Sequence, residues 1–218
     1  MKKRTRFGIP VNDLMGRVFD LVLLNWTFLL CCLPLFTIGA AMTAMHRVLL
    51  QMVRGDDAYF VRDYFKTFKR EFRQSTLLWV PMLVVAVVLL TDQILLLPAL
   101  EGALRVGLFA ASLFFEVFWM VLLIYAYPML ARYVNPLRQT VKNAFLVALW
   151  KFPQTILCAA VYLALPLAYM LYAPAQPVVM ILYLICGFSA PGLLADTILN
   201  RVFLAVIPGE QEYQDSNS

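Results

Sequence analysis

The stretch that decides the fold is VFDLVLLNWTFLLCCLPLFTIGAAMTAMHRVLLQMV, Val18 to Val53. It is apolar enough to enter a bilayer. Its length suits either one crossing with an amphipathic tail or two short crossings, and Pro34, Thr37 and Gly39 near its middle are suited to a turn. Charge chooses between the two. One crossing here, five in all, splits the 18 Lys and Arg residues about 12 to 6 between the two faces of the membrane. Two crossings, 18–33 and 37–53 with a turn at Pro34 to Ile38, put 16 on one face, leaving only Arg105 at the other edge and Arg47 inside. Cytoplasmic loops carry the excess of Lys and Arg, so the second arrangement is expected, with both termini cytoplasmic. Its first two crossings are short, which leaves local thinning or a re-entrant hairpin open.

The rest of the chain agrees. Of 218 residues 62% are hydrophobic and only 14% charged, where a soluble domain carries about 25%. The expected fold is therefore an all-α polytopic bundle, a single integral domain over 1–218. Further apolar runs fall at 76–97, 106–130, 155–172 and 178–199, making about six spans in three hairpins. A polar tail follows at 208–218. The first apolar run follows Lys2, Lys3, Arg4 and Arg6 as a secretory signal does, but no good small-residue cleavage site succeeds it, and it is expected to be retained.

Two amphipathic helices are expected at the cytoplasmic interface, 58–75 and 136–152. In the first, after the cap-like pair Asp56-Asp57, Val61, Phe65, Phe68 and Phe72 recur at helical spacing, with Arg62, Lys66, Lys69 and Arg73 beside them. In the second, Asn135 reads as the cap and Pro136 as the first helical residue, with Leu137, Val141, Phe145, Ala148 and Phe152 on one face. Basic helices of this kind bind anionic headgroups or dock a cytoplasmic partner. A self-alignment at a shift of 80 sets Glu71-Phe72-Arg73-Gln74-Ser75 on Lys151-Phe152-Pro153-Gln154-Thr155, so an interfacial helix feeding a hairpin reads as a repeating unit.

The elements Asn25-Trp26, Leu33-Pro34-Leu35-Phe36-Thr37-Ile38-Gly39-Ala40-Ala41, Val53-Arg54-Gly55-Asp56 and Arg62-Asp63-Tyr64-Phe65-Lys66-Thr67-Phe68-Lys69 together resemble the YesL-like family of bacterial membrane proteins, over about the first third of the chain. The resemblance implies a cell-membrane protein of mainly Gram-positive bacteria. It also implies gene neighbours that take up carbohydrate or encode sensor kinases, and so a sugar importer or a sensor kinase as partner. It supplies no catalytic residues and no biochemical activity.

Ionisable residues inside a bilayer are candidate sites by default. Here they are Arg47, Asp92, Glu116 and Asp196, with Asp20 and His46 nearer the cytoplasmic edge. Arg47 and Glu116 lie at comparable depth in their expected spans, so a charge pair is expected between them. The last span holds Gly187-Phe188-Ser189-Ala190-Pro191-Gly192, where a helix breaks or kinks and frees carbonyls near Ser189. Small residues at Thr37, Gly39, Thr43 and Ala44 read as a close helix-packing face.

Metal, disulfide and enzyme chemistry have little to stand on. The four cysteines form no CxxC pair, His46 is the single histidine, and HExxH, GxSxG and glycine-rich phosphate loops are missing. The basic residues flank apolar runs instead of gathering on a solvated domain, which disfavours nucleic acid. No cofactor and no enzyme activity is expected. Two functions remain: a non-enzymatic accessory or regulatory protein of carbohydrate uptake, or a small secondary transporter or channel with its site near the broken last span.

Overall fold

From Phe60 to Val80 the sequence holds neither glycine nor proline, and nothing there stops a helix once it has started. The computed structural model, which describes residues 11–55 and 60–206, accordingly runs one helix through that stretch. Its elements are α1 (Val11–Cys31), α2 (Ile38–Arg54), α3 (Phe60–Ala99), α4 (Gly102–Arg132), α5 (Leu137–Trp150), α6 (Phe152–Leu171), α7 (Gln176–Cys186) and α8 (Ser189–Val206). One π-helical turn interrupts α3 at Asp92–Leu96 and another α4 at Leu122–Ala126. Among the described residues there is no strand.

Three of these helices, α3, α4 and α6, are long and apolar enough to cross a membrane. A fourth crossing results if α7 and α8, bent by 66° at their junction, count as one. Their outward faces carry an extensive apolar surface, from Leu77 to Leu96 on α3, Leu104 to Phe118 on α4 and Ile156 to Leu171 on α6. On a soluble protein a surface of this extent would be a liability; in lipid it is the required one. The expected tail at 208–218, the pair Asp56-Asp57 and the basic residues before Val11 lie outside the described residues.

The interfacial helix expected at 58–75 is not separate from the span at 76–97. Both belong to α3, whose 40 residues measure about 60 Å at 1.5 Å per residue. The face that this helix buries is not its aromatic stripe. Val61 and Phe65 are exposed and Phe68 and Phe72 half-buried, while the buried stripe is Tyr64, Thr67, Glu71 and Ser75. Ser75 faces inward onto the Thr43 hydroxyl of α2, and Tyr64 packs in the apolar cluster of α1 and α2. The second amphipathic helix is separate, as expected, and starts one residue late. Pro136 takes the capping position with extended backbone, its carbonyl accepting the N–H groups of Gln139 and Thr140 at 2.9 and 3.1 Å. It stops at Lys151, two residues before Pro153, which has no N–H to carry a helix on. The 71–75 and 151–155 segments aligned by the repeat therefore differ: the first is helix interior, the second spans a break.

The helix expected as the second lipid-crossing span, 37–53, is the interior of the bundle. From Gly39 to Gln51 every residue of α2 but Met42 is buried. Around it stand α1, α3, the last turns of α4, and α8. Gly55 closes the helix with φ 76°, its N–H reaching the carbonyls of Gln51 and Met52. The small-residue face makes the contact with α3 close. A Cβ placed on Gly39 would lie 2.5 Å from the Ser75 carbonyl oxygen and 2.6 Å from the Trp79 Cβ, so only glycine fits without parting the two helices. Gly39→Ala is accordingly expected to lose about 1–3 kcal/mol of stability by overpacking. Gly107→Ala, where nothing stands within 4 Å, should be neutral or slightly stabilising. Thermal unfolding in detergent checks both, and equal midpoints for the two variants would contradict the close approach.

Candidate functional site

The break in the last span is where the sequence puts it, between Cys186 and Ser189, and its cause is local. Pro191 offers no N–H to the carbonyl four residues back, and a Cβ on Gly187 would collide with the backbone of Tyr183. The freed backbone groups are not left open. Asn25, fully buried on α1, donates through Nδ2 to the carbonyls of Tyr183 at 3.0 Å and Leu184 at 3.1 Å. Its Oδ1 accepts the N–H groups of Phe188 at 3.0 Å and Ser189 at 3.3 Å. One side-chain amide thus serves both ends of the break. The Ser189 hydroxyl donates to the Cys186 carbonyl at 3.5 Å, and Phe28 and Tyr183 pack their rings on Phe188.

A second set of polar groups lines α2. The hydroxyls of Thr43 and Ser75 are 2.7 Å apart, which sets the antiparallel register of α2 against α3. One turn further along each helix the same register sets Arg47 level with Glu71, both buried. Arg47 Nη1 donates to the carbonyl of Ala131 at 3.3 Å, and Glu71 accepts from Arg70 Nε at 2.9 Å. On another side of α2, His46 Nδ1 lies 2.9 Å from Asp196 Oδ2, with both side chains fully buried. Cys158 and Tyr162, one turn apart on α6, stand within electrostatic range of that carboxylate. Arg132 is buried as well, donating to Asn200 Oδ1 at 2.8 Å with its guanidinium over the rings of Tyr133 and Phe203.

Of the residues expected to form an intramembrane site, the structure brings together fewer than the sequence suggested. Arg47 and Glu116 do not meet. Arg47 is held at Ala131, fifteen residues beyond Glu116 on α4 and so about 22 Å from it along the axis. Glu116 instead accepts from Gln93 Nε2. Asp92 is buried in the π-helical turn of α3 with neither carboxylate oxygen hydrogen-bonded. Asp196 pairs with His46, and Ser189 sits at the break. Arg62, Lys66, Lys69 and Arg73 are all exposed and fall on one stripe of α3, with spacings of three and four residues, beside exposed Val61 and Phe65. Among the described residues no group of three His, Cys, Asp or Glu side chains is placed to hold a metal ion.

Sequence reasoning missed Asn25 as the latch, Glu71 as a buried acid and His46 as the partner of Asp196. The signal for Glu71 was present: Tyr64, Thr67, Glu71 and Ser75 have helical spacing, but they are polar, and only apolar stripes read as inward faces.

Residues 21–93, a third of the chain, match a family described as "Protein of unknown function, DUF624", and the YesL-like proteins fall within that family. No curated protein and no solved structure matches the chain. The matched segment runs from α1 through α2 to the π-helical turn of α3, and so contains Asn25, Gly39, Thr43, His46, Arg47, Glu71 and Ser75.

Two outcomes are expected from these contacts. Asn25→Leu should cost on the order of 3 kcal/mol, because it strands buried carbonyls and amides at the break. Arg47→Glu and Glu71→Arg should each cost about 3–5 kcal/mol as lone buried charges, and the double exchange should regain a large part of it. Combining Arg47→Glu with Glu116→Arg should regain nothing. Unfolding midpoints of these four Arg47, Glu71 and Glu116 variants decide the partner of Arg47.

Proposed function

We propose that this chain is a non-enzymatic, multi-pass protein of the bacterial cell membrane that works by contact, as an accessory or regulatory component associated with carbohydrate uptake. Its partner on this reading is a sugar importer of the ATP-driven kind or a sensor kinase, and both termini are cytoplasmic. The observation that carries the contact reading is the basic stripe of α3, Arg62, Lys66, Lys69 and Arg73, exposed on a helix continuous with a membrane-crossing segment. The Arg73 end adjoins Leu77, the first exposed apolar residue of the lipid-type surface, and suits anionic headgroups. The Arg62 end lies about 16 Å further along the helix and suits an acidic surface on a cytoplasmic partner. The cytoplasmic placement of the basic segments rests on charge, and needs an even number of crossings. Six satisfy it if the first hairpin crosses twice, and four if it does not. The link to carbohydrate rests on the YesL-like resemblance alone.

A second reading, a small secondary transporter or channel, is favoured by one feature: the buried His46–Asp196 pair lies within two turns of the break, on helices that line it. Against it, the freed backbone groups of the break are engaged by Asn25 and are not turned toward a solute path.

Reversing the stripe with Arg62→Glu, Lys66→Glu, Lys69→Glu and Arg73→Glu together is expected to leave insertion intact and to abolish salt-sensitive co-purification with a binding-protein-dependent sugar importer. Solute flux in proteoliposomes holding this chain alone, with co-purification unchanged by the reversal, would move the conclusion to the transporter. Reporter fusions at Glu101 and Asn135 should report outside and inside respectively.

A further inference from the structure

We infer that the α1–α2 hairpin does not cross the membrane: it enters the inner leaflet from the cytoplasmic side, its apolar tip in contact with lipid chains, and leaves by the same side. The inference needs only that the chain is embedded in a bilayer and is independent of which partner it serves.

Three observations carry it. The tip is pinned to α3 far from that helix's outer end. Trp79 Nε1 donates to the carbonyl of Leu35 at 2.8 Å, and Gly39 lies against Ser75 and Trp79. From Trp79, α3 continues for twenty residues to Ala99, about 30 Å along its axis and comparable to the whole hydrocarbon thickness. A tip at that level stops well short of the turn between α3 and α4.

The chemistry of the tip is that of a turn without water. Turns facing water are built from Gly, Pro, Asn, Asp and Ser, of which this one holds only Pro34. This one presents Leu33, Leu35 and Phe36, which are 78%, 65% and 54% exposed. Its backbone meanwhile finds partners inside the protein. The Thr37 hydroxyl lies 2.6 Å from the carbonyls of both Cys31 and Pro34, the Leu35 carbonyl goes to Trp79, and the Cys32 and Thr37 amides bond to Phe28 and Pro34. Non-helical backbone at membrane depth is tolerated only when its polar groups are satisfied by protein in this way.

Two stripes then orient the hairpin. Leu23, Trp26, Leu30 and Leu33, at spacings of three and four residues, form an exposed apolar stripe on α1 that runs into the tip. The basic stripe of α3 lies on the same assembly, along the half of α3 that packs on α2. A unit with one apolar and one cationic surface sits at the inner interface, the first in acyl chains and the second in headgroups and water. Four crossings and one re-entrant hairpin also keep both ends of the chain on one side, as the charge distribution requires.

Cysteine accessibility tests this. In a chain whose Cys31, Cys32, Cys158 and Cys186 are replaced by alanine, Leu35→Cys is compared with Glu101→Cys and Arg138→Cys. The reagents are a membrane-impermeant maleimide, applied to intact cells and to inside-out vesicles, and, because a thiol in lipid stays protonated and inert to maleimide, a membrane-partitioning diazirine whose carbene inserts into nearby C–H bonds. Glu101→Cys should react with the maleimide from outside and Arg138→Cys from inside. Leu35→Cys should react at least tenfold less than either from both aqueous sides, while the diazirine labels the peptide that holds residues 33–36. Maleimide labelling from outside at the level of Glu101→Cys restores two full crossings, and labelling from inside at the level of Arg138→Cys places the tip in water. Absence of diazirine label on that peptide means that protein covers it. Each of the three overturns the inference. Repeating the comparison with the native cysteines in place, and the parent chain's labelling subtracted, covers a loss of folding in the cysteine-free background.

Discussion

In hydrocarbon every peptide N–H and C=O needs a partner from the protein itself, because an orphaned group costs several kcal/mol. Regular helix meets that need within one segment; a break or a turn does not. Among the described residues, the α7–α8 break and the α1–α2 turn both lie close to α2, and both are served by side chains. Asn25 on α1 closes the break between α7 and α8, and Trp79 on α3 with Thr37 closes the turn between α1 and α2. Neither irregularity is stable until its neighbours are in place. The half of the bundle around α2 is therefore tied together by contacts between helices.

Burying α2 has a consequence for charge. A helix carrying His46, Arg47 and Gln51 is costly against lipid, and its burial supplies protein partners for these groups. Small residues make this possible. Gly39 lets α2 and α3 approach until the Thr43 and Ser75 hydroxyls meet, and that register brings Arg47 level with Glu71. A buried ion pair adds little net stability, but a misregistered one leaves a bare charge, so charges of this kind select one alignment of two helices over its neighbours. The His46–Asp196 contact does the same for α2 against α8.

The long apolar helices, the broken last span and the small-residue face were legible because each has a local cause. Composition sets the first, Gly187 and Pro191 the second, and lack of side-chain bulk the third. What was not legible depends on which helix stands beside which. Depth counting along isolated spans paired Arg47 with Glu116, and the count failed because the first hairpin does not share the depth of the third and fourth helices. Counting spans likewise gave no sign that α2 is the interior of the bundle. Its sequence, with eleven apolar or small residues among its first fourteen, reads equally well as a helix in lipid or inside protein. The amide of Asn25 was invisible for a related reason: a lone asparagine on an apolar helix has no meaning until a broken backbone is set against it.

Two environments meet on α3. Its first half packs on α2 and carries the basic stripe on its free side; its second half, past Trp79, is lipid-facing and paired mainly with α4. Because no glycine or proline interrupts the first half, a load applied at Arg62 or Lys66 cannot be absorbed by a hinge there. It passes to the contact with α2 at Gly39, Thr43 and Ser75, the most closely packed part of the helix. From α2 it passes to α8 through His46 and Asp196, and so to the break held by Asn25. The polar contacts inside the bundle thus form a mechanical connection between the exposed basic surface of α3 and the bent span. A protein that reports or controls the state of a neighbour by touch needs such a connection, and it needs no solute path to use it.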